Sequence, residues 1–271
     1  VTANHLLREL APISAGGWRL LDQEARQRLT VALGARKVVD FSGPRGWEHS
    51  AMSLGRTDEL PLNDGLVVAQ RRVLPLVEVR ADFTVSRREL EAYDRGAAYT
   101  DLDSLNEAAL RIASAENVAV LHGWEAASIH GVTQATPHEP IPRVEDFVDY
   151  PKRVAKAVTV LLQAGIGEPF GLVLGPGHYN AVMESTERGG YLLAEHLQRI
   201  LHGPIVWAPG VRGAIVMSLR GGDFLFESGQ DLSIGYSHHD ADTVHLYLEE
   251  SFSFQVATPE AAVHLRNRGE E

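Results

Sequence analysis

The sequence predicts an α+β fold carrying a compact α/β insertion, and three observations point there. Val244, Leu246, Leu248, Phe252, Phe254 and Val256 fall on one parity, while His245, Tyr247, Glu249, Ser251, Ser253 and Gln255 fall on the other. A period of two gives each set its own face, so this stretch is a long strand with one buried face. Leu105, Ala108, Ala109, Ile112, Ala115 and Ala119 recur at helical spacing, and a long helix laid against long strands makes an α+β core. From about 135 to 222 the rhythm shortens into alternating helices and strands, which reads as the insertion.

Taken in order, residues 1–13 show little periodicity and are expected to form an arm with a short turn. Trp18, Leu21, Ala25, Leu29 and Ala32 then mark an amphipathic helix, with Gly34 where a C-cap glycine belongs. From Gly43 to Pro75 the flanks are poorly amphipathic, and Asn63-Asp64-Gly65 signals a reversal. Such an excursion has little core to offset its ordering entropy and makes sense lying on another subunit. Val77, Val79, Ala81, Phe83 and Val85 alternate with polar residues as a second one-faced strand. Ser104 and Glu107 form a capping-box pair at the head of the long helix, and Gly123 ends it.

In the insertion, a helix is expected over Val144–Leu162 and a strand over Gly171–Leu174. Helices follow at His178–Ser185 and Leu192–Leu201, then strands at Ile205–Trp207 and Ala214–Ser218. Leu232, Ile234 and Tyr236 alternate with Ser233 and Gly235, and a polar loop, Ser237–Asp242, joins this run to the final strand as a hairpin. Glu250 falls on the apolar parity of that strand, so it belongs either at an edge or beside an arginine.

Composition excludes several functions. The chain has 271 residues and no cysteine, which rules out disulfides and thiolate metal sites. No apolar run reaches the roughly 20 residues of a membrane span, and the amino terminus lacks a basic-then-apolar signal, so a cytoplasmic address is expected. A net charge of −11 disfavours nucleic acid and anionic membrane as partners. Arginine outnumbers lysine 22 to three, a bias that suits interface ion pairs and equally a GC-rich coding sequence.

Catalytic signatures are weak. Gly221-Gly222-Asp223-Phe224 lacks the second acid of a cyclase GGDEF motif, and Gly175-Pro176-Gly177 lacks the third glycine of a dinucleotide loop. His238, His239, Asp240, Asp242 and His245 have the chemistry to hold a divalent ion, but in a turn-rich loop they read as a solvated hairpin tip. No cofactor and no resident metal are expected. A hydrolase or protease would have to assemble its site from scattered His, Asp and Ser, which sequence does not display. A secreted toxin is disfavoured by the lack of an export signal.

Two long strings carry a resemblance. GGDFLFESGQDLSIGY, Gly221 to Tyr236, followed by LYLEESFSFQV, resembles the carboxy-terminal signature of the encapsulin shell proteins, the linocin-like family. GARKVVDFSGPRGWEHSAMSLG, Gly34 to Gly55, is similar to that family's amino-terminal signature, and element order agrees along the whole chain. The resemblance implies the tailed-phage major capsid protein fold of Hong Kong 97 type. Its parts would be a peripheral domain (1–42, 77–134 and 223–271), an extension loop (43–76) and an axial domain (135–222). It implies a non-enzymatic subunit that assembles with itself into an icosahedral shell, about 60 copies in the simplest case. Cargo would be a dye-decolorising peroxidase or a ferritin-like iron-storage protein, tied to oxidative stress or iron. A short cargo peptide would lie on the inner wall at Arg36, Val38, Asp40, Asp231, Leu232, Ile234 and Tyr236. The loop Thr186, Glu187, Arg188, Gly189, Gly190 and Tyr191 would line a five-fold pore. Some phage shells crosslink an extension-loop lysine, but residues 43–76 contain none, so packing alone is expected to hold this shell.

Overall fold

The computed structural model describes residues 5–61, 66–142, 149–186 and 192–266. The organising element is strand β10, Thr243–Val256. Along one side it pairs antiparallel with β4, Val77–Ser86, over ten registered residues. Along the other side it changes partner: β9, Ser233–His239, covers Val244–Glu249, and β8, Phe224–Ser228, covers Phe252–Val256. A short strand β1, Asp40–Ser42, adds in parallel outside β8. The sheet order is therefore β1-β8-β10-β4, with β9 beside β10.

Because β10 is long, it serves two apolar clusters. Val244, Leu246 and Leu248 pack with Ala81, Phe83, Val85, Ile234 and Tyr236 in one of them. Phe252 and Phe254 belong to the other, with Phe224 and Phe226. The predicted single buried face holds as far as Leu246; further on Tyr247, Ser251 and Ser253 of the other parity are buried as well, because the chain closes over both faces there. Glu250 sits where the clusters meet. It is interior to the sheet, so its partner is an arginine and not an edge.

Three helices cover the first cluster. Helix α1, Ala15–Ala32, buries Gly17, Leu21, Ala25, Leu29 and Ala32 at the predicted spacing, and Ser14 Oγ accepts the Gly17 N–H at 2.9 Å as its cap. Gly34 does not play the predicted part. Its φ is −68°, ordinary right-handed backbone. It is required because a Cβ there would stand 2.5 Å from the Trp207 carbonyl oxygen. Helix α2, Arg87–Asp94, follows β4. The long helix α3 spans Asp103–His122 and ends at Gly123, φ 88°. The capping box at its head is absent: the N-cap is Leu102, and Ser104 Oγ instead accepts the Thr84 N–H of β4 at 3.1 Å. Ser104 therefore ties helix to strand. Ala115 on the predicted stripe is half-buried, and Ala113 is buried in its place.

The second sheet has the order β11-β7-β5-β6. Strands β5, Phe170–Leu174, and β7, Ala214–Ser218, are buried at every position, and β6, Ile205–Trp207, forms an edge. Short helix α4, Val132–Ala135, follows α3, and α5, Tyr150–Gln163, α6, Pro176–Glu184, and α7, Leu193–Leu201, complete this unit. These match the predicted elements within a few residues; the start expected at Val144 lies outside the described residues. Strand β11, Ala262–Leu265, pairs with β7. The resemblance assigns 223–271 to the peripheral domain; within that stretch, 262–265 pairs into the second sheet.

Strands β2, Ala51–Leu60, and β3, Val68–Pro75, form a two-stranded sheet of their own. This is the predicted excursion, with longer strands than its weak patterning suggests; its Asn63-Asp64-Gly65 tip lies outside the described residues. Leu60, Leu66, Val67 and Val73 are all exposed, Val67 to 88%. No helix among the described residues is long and apolar enough to cross a membrane.

Candidate functional site

A groove of about 410 Å³ runs between α1 and β9. Ala25, Leu29 and Leu33 form its helical wall, and Leu232, Ser233 and Ile234 its strand wall. The amino-terminal arm closes one end: the Leu6 carbonyl accepts the Tyr236 N–H at 2.8 Å. Arg8 pins that arm to α1, 2.8 Å from Asp22 and 4.0 Å above the Trp18 ring. On the far face of the sheet the His5 ring stacks on Trp47 at 4.6 Å and meets Glu249 at 3.2 Å. The arm thus joins the groove to the root of the β2–β3 hairpin.

The floor is Arg36, delivered by a 3-10 turn, Ala35–Lys37, directly after α1. Its guanidinium fans out to three acids: Glu116 Oε2 at 2.6 Å, Asp231 Oδ1 at 2.7 Å and Glu250 Oε2 at 2.8 Å. Glu116 and Glu250 are almost wholly buried, while Asp231 is half-exposed at the groove. Burial alone disfavours the Arg36 charge, but the acids, Glu116 foremost, more than offset this and its pKa is raised. Burial first, and the Glu116 charge second, push the Glu250 carboxyl well above the usual carboxylate range. Next to this hub Asn117 accepts the Ala35 N–H at 2.8 Å and donates to the Ala32 and Pro209 carbonyls at 2.9 and 3.1 Å. Together these side chains form a polar seam between the two apolar clusters.

Of the predicted peptide-binding residues, Arg36, Asp231, Leu232 and Ile234 come together at the groove. Ile234 is at the same time a core residue, 2% exposed. Val38, Asp40 and Tyr236 do not line it. Val38 is buried in the second cluster. Asp40 turns to the far end of β1, where Oδ2 accepts the Gly222 N–H at 2.7 Å. Tyr236 is buried, its hydroxyl 2.6 Å from His239 Nδ1. The alternation of Ile234 and Tyr236 marks the core face of β9; it does not report which part of that face stays open. Glu116 was missed, although it stands four residues after Ile112 on the apolar stripe of α3, where an acid is out of place. Glu250, breaking parity in β10, was its visible counterpart.

Thr186 bridges Leu192 at the mouth of the predicted pore loop. Glu187, Arg188, Gly189, Gly190 and Tyr191 lie outside the described residues. The histidine-rich hairpin is tighter than predicted, with Asp240–Asp242 alone between the strands. Asp240 Oδ1 accepts the Asp242 and Thr243 N–H groups at 2.9 and 2.8 Å, which holds its carboxyl below the usual range. His238 and His245, cross-strand neighbours, stack at 4.1 Å. Among the described residues no three His, Asp or Glu are arranged to hold a metal ion. The GGDF string is a structural turn. Gly221 and Gly222 have φ of 85° and 82°, and Asp223 is buried against Arg220 at 2.8 Å.

The chain matches, over residues 3–253, the family described as "Encapsulating protein for peroxidase". It is 48% identical over 270 residues to the type 1 encapsulin shell protein of Rhodospirillum rubrum, covering 97% of this chain and 96% of that one. Its fold is similar to the virus-like particle from Pyrococcus furiosus, with a TM-score of 0.61 at 19% identity over 91% of this chain and 98% of that one. It is also similar to a solved structure of Mycobacterium phage Bobi, with a TM-score of 0.55 at 13% identity over 88% and 91%. The α+β architecture is therefore the phage capsid fold of Hong Kong 97 type, and the chain belongs to the encapsulin shell protein family.

Proposed function

We propose that this chain assembles with itself into a closed icosahedral shell and holds cargo protein on its inner wall by a short extended peptide lying in the α1–β9 groove. The observation that carries the assembly reading is the β2–β3 hairpin, which forms its own sheet and leaves Leu60, Leu66, Val67 and Val73 exposed. An exposed apolar hairpin of this kind is covered in the working state, and repeated heterologous contacts between copies cover it in every subunit. The simplest closed arrangement uses about 60 copies. The family description favours a peroxidase as cargo, and a relative in which a ferritin-like protein is fused to the shell chain makes that class the second choice. In this reading Thr186–Tyr191 lines a pore at the five-fold axis, where paired glycines allow close approach.

The groove supports docking by its composition: apolar walls, a half-exposed Asp231 at the floor and exposed Arg26 at the rim. A short peptide loses ordering entropy on binding, so each site is weak and retention comes from closure and from several attachments per cargo oligomer. The test pairs native mass with cargo recovery. Leu232→Asp with Arg26→Glu, both on the groove and outside the buried core, is expected to leave particles intact and cargo-free. Full cargo in those particles would place docking elsewhere. A wild-type chain that stays monomeric by native mass would overturn the shell.

A further inference from the structure

Three acids surround one guanidinium beneath the groove, and two of them are enclosed. Glu116 Oε2 accepts from Arg36 Nε at 2.8 Å and from Nη2 at 2.6 Å, and Glu250 Oε2 accepts from the same Nη2 at 2.8 Å. Each glutamate therefore places one oxygen on Arg36. The second oxygens, Glu116 Oε1 and Glu250 Oε1, are buried with no hydrogen-bond partner among the described residues. A buried acceptor without a donor is unfavourable, and two carboxylates on one nitrogen repel each other. One proton relieves both, because a protonated carboxyl becomes a donor and the pair carries one charge in place of two.

We propose that Glu116 and Glu250 hold a single proton between them at neutral pH, and that this shared proton locks Arg36 into the floor of the groove. Among the described residues the ion pairs of Glu116 and Glu250 are with Arg36 alone. Lys37, on the same turn, points away to the Val31 carbonyl at 3.0 Å. Asp231, from the β8–β9 link, adds negative charge at Nη1, 2.7 Å away. The Phe41 and Phe226 rings of β1 and β8 lie 5.0 and 5.3 Å from the guanidinium. From β4 the register partner of Glu250 is Val79. Helix α1 contributes Leu29 and Leu33, with Arg26 at the rim. Glu249, next along β10, engages Gln230 at 3.0 Å and His5 at 3.2 Å. The upward displacement of the Glu250 carboxyl, caused by burial and then by Glu116, agrees with a retained proton that belongs to the pair.

The sign of the pH effect follows. The pair binds its proton more tightly in the folded chain than in the unfolded one. The stability it contributes is complete below the ordinary glutamate range and falls as pH rises from there to the raised value. Across that window the unfolding constant rises about tenfold per pH unit for one linked proton. The measurement uses assembled full-length particles. Infrared spectra at neutral pH are expected to show the carbonyl stretch of a protonated carboxylic acid, lost in Glu250→Gln and in Glu116→Gln. Thermal midpoints of the wild type, followed from about pH 5 to pH 9, are expected to fall more steeply than those of Glu250→Gln, whose amide needs no proton. A protonated-acid band that is absent from the wild type, or that survives in both variants, overturns the proposal, as do parallel pH profiles. If neither variant folds, the wild-type band decides alone: present at neutral pH and lost in alkali supports the shared proton, absent at neutral pH refutes it.

Discussion

The seam around Arg36 and the β2–β3 hairpin depart from the usual distribution of polar and apolar groups in opposite directions. The seam buries charge: Glu116 and Glu250 are 0% and 2% exposed between two apolar clusters. The hairpin exposes oil, with Leu66 at 63% and Val67 at 88%. What separates them is where the compensation lies. The seam finds it within the chain, from Arg36 and Asn117, which draw together the end of α1, the middle of α3, the β8–β9 link and β10. Leu66 and Val67 find none among the described residues of their own subunit. One region fixes the subunit's own fold, and the other fixes what the subunit must meet.

The largest effect is expected from removing the seam's cation. Arg36→Leu leaves two enclosed carboxyl groups without their cation, a change that costs about 3–5 kcal/mol when one partner of a buried pair is lost. The expected outcome is a chain that fails to fold, read as loss of soluble protein and of a cooperative denaturant transition. Replacing Arg36, Glu116 and Glu250 together by apolar residues of similar volume is expected to restore most of the loss, since no unpaired charge remains. If the single variant melts like the wild type, the seam is not what joins the two clusters.

The hairpin variant produces an equally complete loss in assembly and almost none in the subunit. Val67→Asp with Val73→Asp touches exposed positions, where substitutions usually change stability by no more than about 0.5 kcal/mol. Native mass is expected to show folded, unassembled subunits. Intact shells of wild-type stability in this variant would show that the hairpin is not an interface. That unassembled variant is also the host in which smaller effects on the subunit are best measured.

Between these lies Asn117→Ala, which removes three hydrogen bonds to main-chain groups and leaves the Ala35 N–H and the Pro209 carbonyl unmatched, while the Ala32 carbonyl keeps the Gly34 N–H at 2.8 Å. Each buried unsatisfied group costs about 1–3 kcal/mol, and relaxation keeps the total below the plain sum. A loss of about 1–3 kcal/mol by denaturant unfolding is expected, well short of Arg36→Leu.

The contrast also sorts what was legible in the sequence. Elements with one wet face were visible because burial imposes a period: β10, β4, α1 and α3 all lie close to where their spacing puts them. β1 escapes the pattern because three residues are too few for a period, and its place is set by parallel pairing with β8, 185 residues away in the register. The crossing of β11 to the second sheet is equally non-local. At the groove, the family strings supply all seven expected residues alike, and the fold gathers Arg36, Asp231, Leu232 and Ile234 there while setting Val38, Asp40 and Tyr236 apart. Glu116 was legible in principle. An acid on an apolar helical stripe and another on an apolar strand parity together call for one shared arginine, which neither signals alone.

The smallest effect sharpens the comparison most directly, because it uses the same chemistry in the other setting. Arg72 Nε and Asp58 Oδ2 face each other across the hairpin at 3.6 Å, with side chains 55% and 63% exposed. In the seam the Arg36–Asp231 contact is 2.7 Å, and the arginine is 15% exposed. Water screens the hairpin pair, and holding two long side chains in register costs entropy, so such pairs contribute about 0–1 kcal/mol. Asp58→Asn in the unassembled background is therefore expected to shift stability by less than about 0.5 kcal/mol, with even that difference fading at high salt. The same substitution in the shell-forming chain reports on the covering surface. If a neighbouring copy dehydrates the hairpin on assembly, the unpaired Arg72 becomes costly there, and the shell dissociates at lower denaturant than wild type while the subunit does not change. Equal effects in subunit and shell would mean that the hairpin stays wet at this point, and that its covered area ends nearer to Leu66 and Val67.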